Sequence, residues 1–170
     1  MAIVINGSGT VTGITAGGLP DGCITADELA SGVGGGGKLL QVVKNESTTV
    51  TSVASATFQA TGLTGSITPT ASSSKILIFV GQTFKHKYTR GHGIQVDRNG
   101  TVVYQDAVDY TNFNGATGDI YGRSTTWVED TPSSTSSLTY TIKAYTASAT
   151  QVDFQHSGTK SQIILMEIAG

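Results

Sequence analysis

The side chains in this 170-residue sequence best suited to chemistry are three histidines, His86, His92 and His156, one cysteine, Cys23, and the carboxylates Asp106, Asp109 and Asp119. Their spacing gives them little to do together. No histidine stands two or four residues from another histidine or from the cysteine, so the common metal-ligand spacings are missing. His86 and His92 could meet copies of themselves on a threefold axis and share a metal there, but solvated histidines are the commoner case. Cys23 would need a neighbouring base to become a nucleophile, and the nearest histidine in sequence is His86. There is no Gly-x-Ser-x-Gly elbow. Gly7-x-Gly9 starts like a dinucleotide loop, yet Thr12 stands where the third glycine should fall and no βαβ unit follows. Asp106, Asp109 and Asp119 could supply a carboxylate pair, although acidic loop residues far outnumber catalytic dyads. The expectation is a non-enzyme without cofactor or metal.

Binding chemistry is better represented. Phe84 to His92 is the locally basic stretch, and Asp106 to Gly122 is irregular, aromatic and amide-rich. Tyrosine and phenylalanine offer rigid contact area, asparagine offers amide donors and acceptors, and glycine lets a loop adapt. That composition suits a glycan-reading surface, with a ring covering a sugar's apolar face and amides bonding its hydroxyls. The candidate receptor-binding residues are Lys87, Tyr88, Arg90, His92, Tyr110, Asn112, Phe113, Asn114 and Tyr121.

The elements that must position these loops are strands. The charged fraction is 13% and helix-favouring runs are scarce. A formal charge of −2 gives no drive toward nucleic acid or an anionic membrane, and no stretch reaches the ~20 apolar residues of a membrane span. The N-terminus shows no secretory signal pattern. Residues 1–37 hold half of the 22 glycines and carry no lysine or arginine. They read as a glycine-rich segment with a capping box at Thr25–Ala30 that starts a helix of one or two turns, either disordered or packed in three copies around a common axis with Leu29 inward; the latter makes it an attachment and trimerisation segment. Residues 38–170 read as one all-β, antiparallel, jelly-roll-like sandwich.

Within that head, Lys75–Phe84 is apolar on both faces: Ile76, Ile78, Val80 and Phe84 on one, Leu77 and Phe79 on the other. Gln162–Ile168 is again two-faced. Two such strands favour a second apolar surface buried between copies of the chain, with Leu29, Leu77, Phe79, Ile163 and Leu165 at the interface; a central strand in one larger core is the alternative. Leu39–Val43 is expected beside Ile163–Ile168, and Thr48–Phe58 is expected as a strand. Asn99-Gly100 predicts a two-residue hairpin with Arg98 opposite Thr101 and Val96 opposite Val103, leaving Ile94, Val96 and Val103 on the inner face. Leu138, Tyr140 and Ile142 alternate inward.

Several phrases are familiar: Leu39-Leu40-Gln41-Val42-Val43, Gly62-Leu63-Thr64-Gly65-Ser66-Ile67-Thr68-Pro69, Trp127-Val128-Glu129-Asp130-Thr131-Pro132, Ile164-Leu165-Met166-Glu167-Ile168, and near the start Ile5-Asn6-Gly7-Ser8-Gly9-Thr10-Val11-Thr12-Gly13. Together they resemble bacteriophage tail-fibre and related virion fibre proteins. The resemblance implies a homotrimer on the virion, on tail or capsid. Its head would bind a host-surface glycan or protein receptor, and residues 1–37 would meet other virion proteins. A structural decoration or anchoring protein without a ligand is the alternative.

Overall fold

The computed structural model describes residues 4–5, 11–12, 37–87, 91–106, 118–146 and 149–170. The chain divides into two compact units, 1–36 and 37–170. In the first, β1 (Val4–Ile5) pairs antiparallel with β2 (Val11–Thr12). The capped turn expected at 25–30, including Leu29, lies outside the described residues.

The second unit is a two-sheet antiparallel β-sandwich. Its strands are β3 (Leu39–Ser47), β4 (Thr51–Val53), β5 (Gln59–Ile67), β6 (Lys75–Lys87), β7 (His92–Arg98), β8 (Thr101–Gln105), β9 (Asp119–Asp130), β10 (Leu138–Thr146), β11 (Val152–Phe154) and β12 (Ser161–Ile168). The smaller sheet runs β5-β10-β7-β8. The larger is built on β6, which pairs along its length with β9 on one edge and successively with β12 and β11 on the other. β3 and β4 lie outside β12 and β11. Pairing is therefore nested: β3 with β12, β5 with β10, β6 with β9, β7 with β8.

Alternation builds the core. Ile76, Ile78 and Val80 of β6 and Ile163 and Leu165 of β12 face Leu63, Ile94, Val96, Tyr140 and Ile142 of the other sheet, all at most 3% exposed. Each fully buried aliphatic side chain contributes about 1.5–3 kcal/mol of transfer free energy. The inward alternation of Leu138, Tyr140 and Ile142 and the pairing of β3 with β12 are as the sequence predicts. Thr48–Phe58 forms only the short β4, because Thr57 and Ser55 turn their hydroxyls onto local backbone and side-chain groups and compete with the ladder.

The Asn99-Gly100 turn has positive φ at both residues, 49° and 91°, as a type I′ hairpin requires. Arg98 does lie opposite Thr101. A bulge then sets Val96 opposite Tyr104 rather than Val103. The extra residue lets Val103 and Tyr104 both lean on the core. It also delivers the Tyr104 hydroxyl to Asp106 Oδ1 at 2.5 Å, while Oδ2 accepts the Ile94 N–H at 2.8 Å.

Polar ties close one end of the sandwich. Arg98 Nη1 lies 2.7 Å from both oxygens of Asp130, and the Tyr140 hydroxyl donates to Asp130 Oδ2 at 2.7 Å, which joins the two sheets. Glu167 is fully buried. Its carboxylate accepts from the Thr70 N–H and hydroxyl (2.7 Å each), the Ser74 hydroxyl (2.6 Å) and Gln41 Nε2 (2.6 Å). It thereby holds the 68–74 connection against β3 and β12. Burial alone would raise its pKa; the bonds from Ser74, Gln41 and Thr70 outweigh that and hold it near about 2.

Because this folded-state pKa is depressed, the stability it supplies is full above the unfolded value near 4.5 and is lost as pH falls toward 2. Glu167→Gln places an amide N–H₂ among donors, and thermal melting at pH 7 should show a loss of about 1–3 kcal/mol. The gap between wild type and variant should narrow steadily between pH 4.5 and pH 2.

Candidate assembly and recognition surfaces

The two outer faces of the sandwich have opposite chemistry. The smaller sheet presents Thr64 and Ser66 of β5, Thr139, Thr141 and Lys143 of β10, and Gln95 and Asp97 of β7. These bond one another: Ser66 to Thr139 at 2.9 Å and Lys143 Nζ to Asp97 Oδ2 at 2.9 Å. This face is polar, although Gln95 and Asp97 on β7 are buried, 6% and 5% exposed.

The larger sheet's outer face is different. Cross-strand register lines up Val42, Met166, Leu77 and Glu129 in one row, and Lys44, Ile164, Phe79 and Trp127 in the next. Past a register shift, Ile168 lies opposite Leu39 and extends the apolar area toward the end of the sheet, where Leu39 and Leu40 are 50% and 38% exposed. Leu77, Phe79, Ile164, Met166 and Ile168 are half-buried by their neighbours, whereas Val42 is 50% and Trp127 76% exposed. The Trp127 and Phe79 rings lie 6.1 Å apart and tilted by 55°. A shallow hollow beside them is lined by Gly37, Lys75, Leu77, Glu129, Ile168 and Ala169.

The expected interface residues divide on this geometry. Leu77 and Phe79 are on the outer face. Ile163 and Leu165 are not: both are fully buried in the chain's own core. The period of two puts Ile164, Met166 and Ile168 outward in their place. A strand apolar on both faces gives no sign of which face is which until its register is known. Trp127 and Val42 were missed for a related reason: each sits in a strand whose inner side is also apolar or small.

The outer face turns polar farther along β6. Lys85 pairs with Tyr121 across β9 and with Asp153 across β11. Lys85 Nζ makes an ion pair with Asp119 at 3.0 Å and lies 5.7 Å from the centre of the Tyr121 ring. The bond to Asp119 raises the Lys85 pKa. Asp153 accepts from Ser52 (2.6 Å) and Gln151 (2.7 Å), and the His156 ring lies 5.7 Å from that of Tyr121. Tyr121 itself is 62% exposed. Among the described residues, no three of His, Cys, Asp and Glu are grouped so as to hold a metal.

Of the candidate receptor-binding residues, Tyr121 is exposed but stands within β9 rather than in the irregular loop expected from 106 to 122, because pairing with Lys85 of β6 carries the strand back to Asp119. Lys87 ends β6; Tyr88, Arg90, Tyr110, Asn112, Phe113 and Asn114 lie outside the described residues. His92 is a correction. It is fully buried, with Phe84 at 4.5 Å and Phe154 at 5.5 Å between ring centres and Nε2 2.9 Å from the Ser124 hydroxyl. It begins β7 on the inner face, in phase with Ile94 and Val96, so periodicity carries it inward despite its basic neighbours. His86 is buried beside it, with ring centres 6.0 Å apart.

No family model matches this chain, and no curated protein does. Among solved structures, the VP2 subviral particle of infectious bursal disease virus is similar over 76% of this chain at 18% identity, with a TM-score of 0.40. The dimeric latent PorU of Porphyromonas gingivalis is similar over 80% at 11% identity, with a TM-score of 0.36. This chain spans 33% of the first of those chains and 14% of the second.

Burial, and secondarily the charge of His86, lowers the His92 pKa to about 3. The unfolded chain then binds a proton near pH 6.5 that the folded chain refuses until about 3, so this residue makes stability fall as pH drops through that window. His92→Gln should flatten the pH dependence of denaturant midpoints between pH 6.5 and 4, even if the variant is less stable at pH 7. An unchanged slope would refute the buried, neutral assignment.

Proposed function

We propose that this chain is a homotrimeric virion fibre protein. Residues 38–170 form a jelly-roll head that binds a host-surface receptor, a glycan in this reading, through the loops at one end. Residues 1–37 join it to other virion proteins. The observation that carries the reading is the contrast between the outer faces: one is a hydrogen-bonded polar surface, the other an apolar sheet centred on Leu77, Phe79, Ile164 and Met166 with Trp127 at its edge. A contiguous apolar surface of this kind marks an interaction site, and further copies of the same chain cover it at no cost in specificity. The fibre-like phrases of the sequence supply the virion setting.

Recognition falls to the far end of the same sheet. Tyr121 offers an open ring there, at the end of β6 and β9 from which residues 88–90 and 107–117 depart. A millimolar site is worth about −4 kcal/mol. Three sites per trimer and several trimers per particle raise effective affinity by roughly 10²–10⁴. A ligand-free decoration or anchoring role is the second reading. It is favoured by His92, which is in the core, and by Lys85, which is paired with Asp119, because both subtract a basic group from the recognition surface.

Light scattering on the full chain should give three times the 17.5 kDa chain mass. A stable monomer at micromolar concentration overturns the trimer. Tyr121→Ala should leave that mass unchanged and lower adsorption of the protein to host cells at least tenfold. Undiminished adsorption rejects Tyr121 as part of the receptor site, and no adsorption by the wild type hands the case to decoration.

A further inference from the structure

Three copies can close a ring only through a heterologous contact, in which two different patches of one chain meet. The larger sheet offers two such patches at its opposite edges. β3 is one edge strand and presents Val42 and Lys44 outward; β9 is the other and presents Trp127 and Glu129 outward. Resting on the trimer proposed above, the geometry points to a head-to-tail interface in which the β9 edge of one copy, led by Trp127, seats on the β3 side of the outer face of the next.

Four features support this second copy as the occupant. The most exposed apolar side chains of the larger sheet's margins are Trp127 at 76% on β9 and Leu39 and Val42 at 50% on β3. Val42 and Trp127 each have a charge two residues away, and the charges are opposite: Lys44 beside Val42, Glu129 beside Trp127. Rotation about an axis along the strands keeps each cross-strand row at its height, and Lys44 and Trp127 occupy the same row. Lys44 of one copy would then lie over the Trp127 ring of the next as a cation on an aromatic face, with Glu129 one row away.

The fourth feature is that both charges are available to change partners. Glu129 pairs with Lys75 at 2.8 Å with both side chains about half exposed, an arrangement that holds weakly in water. Lys44 shares Glu46 with Lys160. The bonds from Lys160 first and Lys44 second hold Glu46 near a pKa of about 2. If Lys44 turns away, Glu46 keeps Lys160 at 2.8 Å and Gln162 at 2.8 Å.

The test is Lys44→Cys with Trp127→Cys in a Cys23→Ser background, treated with a short bis-maleimide and run on a denaturing gel. Both positions are exposed, so the sandwich should fold. The double variant should run mainly as a covalent trimer, and each single variant as a monomer. If light scattering shows that the double variant is itself a trimer and it stays uncrosslinked, the head-to-tail seating is wrong and the trimer stands. Crosslinked dimers from a single variant mean like edges meet, which overturns the seating in favour of a two-fold contact. A monomer by light scattering removes both. As a second readout, Trp127 is the only tryptophan. Its emission in the otherwise unaltered chain should shift to the blue on assembly and return to the red in Lys44→Glu, but not in Lys44→Arg; indifference to both changes argues against Lys44 as its neighbour.

Discussion

Everything in the sandwich depends on covering both faces of β6. This strand is thirteen residues long, is paired along both edges, and is apolar above and below. Its inner side is covered from within: Ile76, Ile78 and Val80 meet the smaller sheet and are at most 3% exposed. Its outer side is shared with β12 on one flank and β9 on the other, which spreads the apolar area across the sheet. The described residues of the head form two layers. Each layer can dry one face of the other, and no third layer is supplied among the described residues of the head.

That constraint accounts for the asymmetry of the molecule. The smaller sheet lines its outer face with threonines, a serine and an ion pair. The larger sheet grades from apolar rows at Leu77 and Phe79 to an ion-paired, tyrosine-bearing surface at Lys85. Six residues of strand separate Phe79 from Lys85, about 20 Å. One face thus carries apolar chemistry at one end and polar, aromatic chemistry at the other, on separate side chains.

The buried polar groups follow the same division of labour. Asp106, a candidate for chemistry by type alone, bonds the Ile94 backbone and Tyr104 and fixes the β7–β8 hairpin. Glu167 and Asp130 secure one end of the core, and His86 and His92 pack among Phe84 and Phe154 near the other. Each of these is a structural use of a residue type that elsewhere serves catalysis. What separates the two uses is the partner: backbone amides, hydroxyls and rings of the same chain.

Local pattern determined much of this protein. Alternation in Leu138–Ile142, the two-faced run from Lys75, the Asn99-Gly100 turn and the pairing of the first head strand with the last could all be read directly, because each depends on a period of two or on a turn residue's own backbone preference. What the tertiary structure decided was phase. Whether Ile163 or Ile164 is the buried partner, whether His92 faces solvent or core, and whether Val103 or Tyr104 lies opposite Val96 all hinge on a shift of one residue. Such a shift leaves composition unchanged and reverses every side chain, so only the pairing of strands distant in sequence can settle it.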